Sequence, residues 1–146
     1  MNGYSLGRLL ILSIAIAFTV STQHGAAQSV REGRTAQDRR YVAGGIGLDE
    51  SEQMKAMARD FPLSITVAAK SGAYLADSHI KIQDARGQVV LDTQLDSPYL
   101  LVDLVPGRYS VEATFQGKTQ RRSVDLSASL PAKVTFGFDA PADRAP

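Results

Sequence analysis

The chain has 146 residues, with 16 Lys and Arg against 15 Asp and Glu, two His and no Cys. The absence of cysteine excludes disulfides, thiolate metal sites, cysteine nucleophiles and a lipid anchor on cysteine. The near-neutral balance gives no electrostatic footprint for nucleic acid or an anionic membrane surface.

Arg8 opens the first element, and Leu9 to Val20 is an apolar run broken only by Ser13 and Thr19. A polar stretch from Ser21 ends in Gly25-Ala26-Ala27. This order is that of a secretory signal peptide over residues 1–27, cleaved before Gln28. The apolar run falls short of the ~20 residues that cross a bilayer, so no stable membrane span is expected after cleavage. Arg8 is the only charged residue removed, which leaves a mature chain of zero formal charge. The expected location is periplasmic or secreted, in a bacterial envelope.

Residues 28–43 are polar and locally basic, with Arg31, Arg34, Arg39 and Arg40 and no apolar period. They read as a disordered linker. Residues 44–62 read as a Gly-rich entry and a helix. Gly44, Gly45 and Gly47 lack the Gly-Lys-Ser/Thr of a phosphate loop, and Asp49, Glu50 and Glu52 would repel a phosphate. Asp49 is placed to cap the helix, with Glu52 completing a capping box. Met54, Met57, Ala58 and Phe61 fall on one helical face, and Pro62 ends the element.

From Leu63 onward the pattern is β. Leu63, Ile65 and Val67 alternate with polar residues, as do Ile80 and Ile82. Asp84-Ala85-Arg86-Gly87 suits a type I turn in a hairpin. Val89, Leu91, Thr93 and Leu95 are expected to share one face of the next strand. Leu100, Val102 and Leu104 share a face before the Pro106-Gly107 turn, and Tyr99 and Leu101 lie on the opposite one. Tyr109, Val111, Ala113 and Phe115 alternate with Arg108, Ser110, Glu112 and Thr114, the signature of a half-buried antiparallel strand. Gln116-Gly117 turns the chain into Lys118 to Leu126, and Val134, Phe136 and Phe138 alternate in the last strand. The expected fold is mainly β: an antiparallel β-sandwich of about seven strands over residues 63–138, with one short N-terminal α-helix. Residues 139–146 read as a disordered tail.

Residues 63–138 resemble the carboxypeptidase regulatory-like domains. Ala85-Arg86-Gly87-Gln88-Val89 and Leu104-Val105-Pro106-Gly107-Arg108-Tyr109-Ser110-Val111 carry the resemblance. Val105 stands where that family's pattern has a first proline. The resemblance implies a prealbumin-like β-sandwich that acts as an accessory or binding module, a statement about fold more than activity. The transthyretin-related hydrolases are similar in architecture only. Their sites need several histidines and a C-terminal Tyr-Arg-Gly-Ser, whereas this chain keeps only His79 after cleavage and ends in Arg144-Ala145-Pro146.

Candidate chemistry is sparse. His79 is expected to face solvent and cannot build a histidine zinc site alone. Ser78 and Ser97 sit in no nucleophile elbow. Asp92, Asp96 and Asp103 could gather across strands for acid/base work or calcium, but solubilising charge on outward strand positions and turns is the preferred reading. Lys118, Arg121 and Arg122 form a basic patch that would guard an edge strand. The helix is expected to pack by its Met54, Met57 and Phe61 face on the sheet near Tyr99 and Leu101; where it does not, Tyr74, Tyr99, Leu101, Met54 and Met57 are the candidate partner-binding residues. No catalytic, metal or cofactor residue is assigned. The expected function is an exported non-catalytic binding or accessory module, its partner an envelope protein or glycan. The alternative is a carbohydrate-active or hydrolytic accessory enzyme using surface carboxylates.

Overall fold

The computed structural model describes residues 30–140. Residues 1–29, which include the expected signal peptide, and residues 141–146 of the expected tail lie outside them. The described chain is mainly β, with nine strands and one short helix. In order these are β1 (Arg31–Arg34), β2 (Arg40–Gly44), α1 (Leu48–Met57), β3 (Leu63–Ala69), β4 (Ser78–Asp84), β5 (Val89–Leu95), β6 (Tyr99–Val102), β7 (Gly107–Phe115), β8 (Lys118–Leu126) and β9 (Ala132–Phe138). They form a five-stranded sheet of order β1-β2-β6-β3-β9 and a four-stranded sheet of order β5-β4-β7-β8. All pairings are antiparallel except β3 with β9, which is parallel.

The seven expected strands are β3 to β9. The other two correct the linker reading of residues 28–43. Arg31 to Arg34 pairs with Arg40 to Ala43, and β2 continues onto β6 with Val42 opposite Leu101. Alternation failed as a signal because β1 is a short outer strand that buries almost nothing. The turn between them is locked by Thr35, whose Oγ1 accepts the Arg39 amide at 3.1 Å. Tyr41 lies across Gly33 so closely that any side chain there would meet its ring.

Both sheets feed one core. Leu63, Ile65, Val67, Leu100, Val102, Phe136 and Phe138 from the first meet Ile80, Ile82, Leu95, Tyr109, Val111, Ala113 and Phe115 from the second. The parity read from the sequence holds on β6 and β7. On β5 it fails at Val89, which is exposed while Val90 is buried. The cause is a bulge: Ile82 faces Leu91 and Gln83 faces Val89, so Val90 is the extra residue. Its carbonyl is used all the same, accepting the Ala36 amide at 2.9 Å. The adjoining turn follows from Asp84, whose Oδ1 accepts the amides of Arg86 (2.9 Å) and Gln88 (3.0 Å). Gly87, at φ 80°, supplies the left-handed position that closes it.

The Pro106-Gly107 turn is fixed from inside. Tyr109 donates its hydroxyl to the Val105 carbonyl at 2.8 Å while its ring enters the core. The ring fills the interior and the hydroxyl satisfies a loop carbonyl, which accounts for a tyrosine two residues after the glycine. At the other end, Asp139 pairs with Lys70 at 2.9 Å and Ala140 packs against the core, so these two residues are not part of a loose tail.

Phe115 is buried and Thr114 points outward to Thr119, with 2.8 Å between their hydroxyls. Phe115→Ala is expected to cost about 3–5 kcal/mol, and Thr114→Ala less than about 1 kcal/mol. Denaturant melts of the two variants check the difference; equal losses would contradict the assignment of faces.

Candidate functional site

The outer face of the five-stranded sheet is apolar where β2 and β6 adjoin, because Val42, Tyr99 and Leu101 project there. Helix α1 covers it. Met54 and Phe61 are buried with those three residues, and Val30, Met57 and Ala58 pack around them. Arg40 closes one side, its guanidinium 5.4 Å from the Phe61 ring centre.

The entry to the helix is a tight turn. Gly45 and Gly47 have φ of 104° and 84°. A Cβ on Gly45 would overlap the Tyr99 ring, so glycine is required there for backbone conformation and for close approach alike. The expected capping box does not form. Gly47 occupies the N-cap, and no side chain caps the helix. Glu50 reaches back instead, its Oε2 accepting the Ile46 amide at 2.9 Å, and Ser51 donates its hydroxyl to the Gly45 carbonyl at 2.8 Å. Glu52 bonds Lys55 at 2.9 Å. Asp49 and Glu50 lie in the first turn, where the helix dipole favours negative charge.

Beside this turn lies an open cleft of about 410 Å³, lined by Gly45, Ile46, Gly47, Leu48, Ser51, Lys55, Ala73 and Tyr74. Leu48, 75% exposed, and Tyr74, 36% exposed, present apolar and aromatic surface to solvent. Tyr74 is held by a bridge to Ala68 and by the Tyr99 ring, 5.1 Å away between centres and tilted by 56°. The arrangement offers an aromatic ring on a firm base, an aliphatic neighbour and one ammonium group. A ring so seated can stack on a sugar ring or an apolar side chain.

The candidate partner-binding residues therefore divide. Met54, Tyr99 and Leu101 are buried against one another, as the expected docking of the helix requires, and so drop out as binding residues, and Met57 is partly buried beside them. Tyr74 alone of the five is exposed. Sequence reasoning missed Leu48 and Lys55. The signal was present, since Leu48, Ser51 and Lys55 recur at helical spacing on a second face of α1.

The candidate chemical groups are not brought together. His79 Nε2 lies 2.6 Å from Asp92 Oδ1 on the outer face of the four-stranded sheet. Asp103 follows β6 and pairs with Arg39 at 2.8 Å, and Asp96 is exposed in a turn. Among the described residues no group of three or more His, Asp or Glu is placed to hold a metal. Ser78 and Ser97 are buried, and their hydroxyls have no partner within the described chain. Arg121 bonds Glu112, and the Arg122 guanidinium sits 5.7 Å from the Phe136 ring centre. The outer face that carries His79 is a charge ladder. Asp92, Lys81, Glu112 and Arg121 lie side by side across four strands with alternating sign.

No family model matches the chain, and no curated protein matches it.

Burial pushes the Tyr99 phenol upward from its usual value, reinforced by Tyr74 and by the charge of Glu52. A phenol whose pKa is raised on folding contributes stability that is complete below the unfolded value of about 10 and is lost as pH rises above it. Melting temperature is therefore expected to fall above about pH 10, and less steeply in Tyr99→Phe. Parallel pH series of melts on both proteins check this; identical slopes would contradict it.

Proposed function

We propose that this chain is an exported, non-catalytic binding or accessory module of the bacterial cell envelope. Its domain would be a prealbumin-like β-sandwich of the carboxypeptidase regulatory-like kind. Two sheets sharing one core support that reading of the fold. So does the Pro106-Gly107 turn with Tyr109 bonded back to Val105. The order of residues 1–27 supports export.

The observation that carries the functional reading is the cleft at the start of α1. Leu48 and Tyr74 stand exposed there, while the apolar residues around them are consumed by packing. An exposed ring seated on a buried one suits a glycan ring or an apolar side chain of a partner. The hydrolytic alternative has less support. The carboxylates it would use are engaged separately, Asp92 with His79 and Asp103 with Arg39.

The test is capture from an envelope extract on immobilised protein, with Leu48→Ser/Tyr74→Ala as control surface. Both side chains are exposed, so the double variant should melt as the parent does, within about 1 kcal/mol. Species retained by the parent and lost on the variant are expected. Equal retention on both would place the binding surface elsewhere.

A further inference from the structure

Among the described residues each sheet ends in two outer strands, and an outer strand offers unpaired amides to any strand that meets it. Three of the four carry evident guards. β1 has four residues, three of them charged. β5 is bulged and receives two bonds from the β1–β2 hairpin, Arg31 Nη2 to the Gln94 carbonyl at 2.6 Å and the Ala36 amide to the Val90 carbonyl. β8 carries Lys118, Arg121, Arg122 and Asp125. β9 differs in its own sequence: Ala132-Lys133-Val134-Thr135-Phe136-Gly137-Phe138 is rich in β-formers and holds one charge and no proline, and its only cover is two side chains of β8, Gln120 on the Gly137 carbonyl and Arg122 over the Phe136 ring, among the described residues.

The ladder with β3 settles which amides of β9 face outward. The Ala132 amide donates to the Pro62 carbonyl at 2.8 Å, and the Phe138 carbonyl accepts from the Lys70 amide at 2.8 Å. In a parallel pair, bonding residues alternate along each strand. Ala132, Val134, Phe136 and Phe138 therefore bond to β3, and Lys133, Thr135 and Gly137 turn their amides and carbonyls to the open side. The Gly137 carbonyl is on that side, where it accepts the Gln120 side-chain amide at 2.6 Å.

We propose that β9 is a homodimer interface, at which a second copy's β9 adds antiparallel about a two-fold axis through Thr135. This register matches all three outward residues: Thr135 meets its own copy, and Lys133 meets Gly137 in each direction. Such pairs exchange both hydrogen bonds in an antiparallel ladder. Val134 then lies opposite Phe136, and Ala132 opposite Phe138, so apolar meets apolar on the core side. The single charge, Lys133, faces a glycine and never its own copy. The strand is thus self-complementary, as an isologous contact requires. Gln120 competes for the Gly137 carbonyl that the partner's Lys133 amide would use, which makes it a latch on dimer formation.

Sedimentation over a concentration series tests the proposal, using the parent, Gln120→Ala and Thr135→Lys. Thr135 is exposed, so lysine is accommodated by the single chain but places two ammonium groups face to face on the axis. The parent should show a concentration-dependent dimer, Gln120→Ala should shift towards it, and Thr135→Lys should weaken it by at least about tenfold, partly restored by salt. Should Thr135→Lys fail to fold, Thr135→Pro removes one outward amide while sparing the bonds to β3. Dimerisation of Gln120→Ala alone would also support the interface, as a latched one. The proposal is overturned if the parent and Gln120→Ala are both monomeric at the highest soluble concentration. It is equally overturned by a dimer that neither change at Thr135 weakens.

Discussion

The structure depends on one strand having two apolar faces. All four residues of β6 are buried, Leu100 and Val102 towards the core and Tyr99 and Leu101 away from it. Water cannot be left on either side without forfeiting roughly 1.5–3 kcal/mol for each large side chain. One side is met by the opposing sheet. The other needs a cover, and α1 with its flanking segment provides it. An amphipathic helix of ten residues would be marginal alone. Here the sheet stabilises the helix and the helix completes the sheet.

That requirement also explains the chain before the helix. β2 pairs with β6 and lends Val42 to the outer apolar cluster and Ala43 to the inner one. β1 and its turn then reach the opposite sheet through Arg31 and Ala36. The Arg39–Asp103 pair and the bond from the Asp103 amide to the Arg40 carbonyl tie the same hairpin to the chain leaving β6. A segment of about fifteen residues, most of them polar, thereby becomes a clamp across both sheets.

Much of this was legible in the sequence, for identifiable reasons. Alternation exposed β3 to β9 wherever a strand is buried on one face, and it placed Tyr99 and Leu101 correctly opposite Leu100 and Val102. It could not show β1, whose side chains are mostly exposed, and it misread Val89 because a bulge reverses parity without any marker in composition. The capping box was a spacing match only. The turn at Gly45 and Gly47 moved the N-cap to Gly47 and gave Glu50, not Glu52, the backward reach. At the site, Tyr74 was legible as an outward-facing aromatic candidate. Its cleft was not, because it is assembled from Gly45 to Lys55 and Ala73, segments that meet only after folding. The alternating charges on the far face likewise emerge from register, which no single strand reveals.

If β6 truly requires both covers, the β2 strand belongs to the same cooperative unit as the core. Native-state hydrogen exchange at the Val42 and Ala43 amides tests this most directly. The account predicts protection close to that of Val111 in the middle of β7, with exchange through global unfolding. Exchange at these amides as fast as in an open loop, with Val111 still protected, would show the hairpin to be detachable and would contradict it.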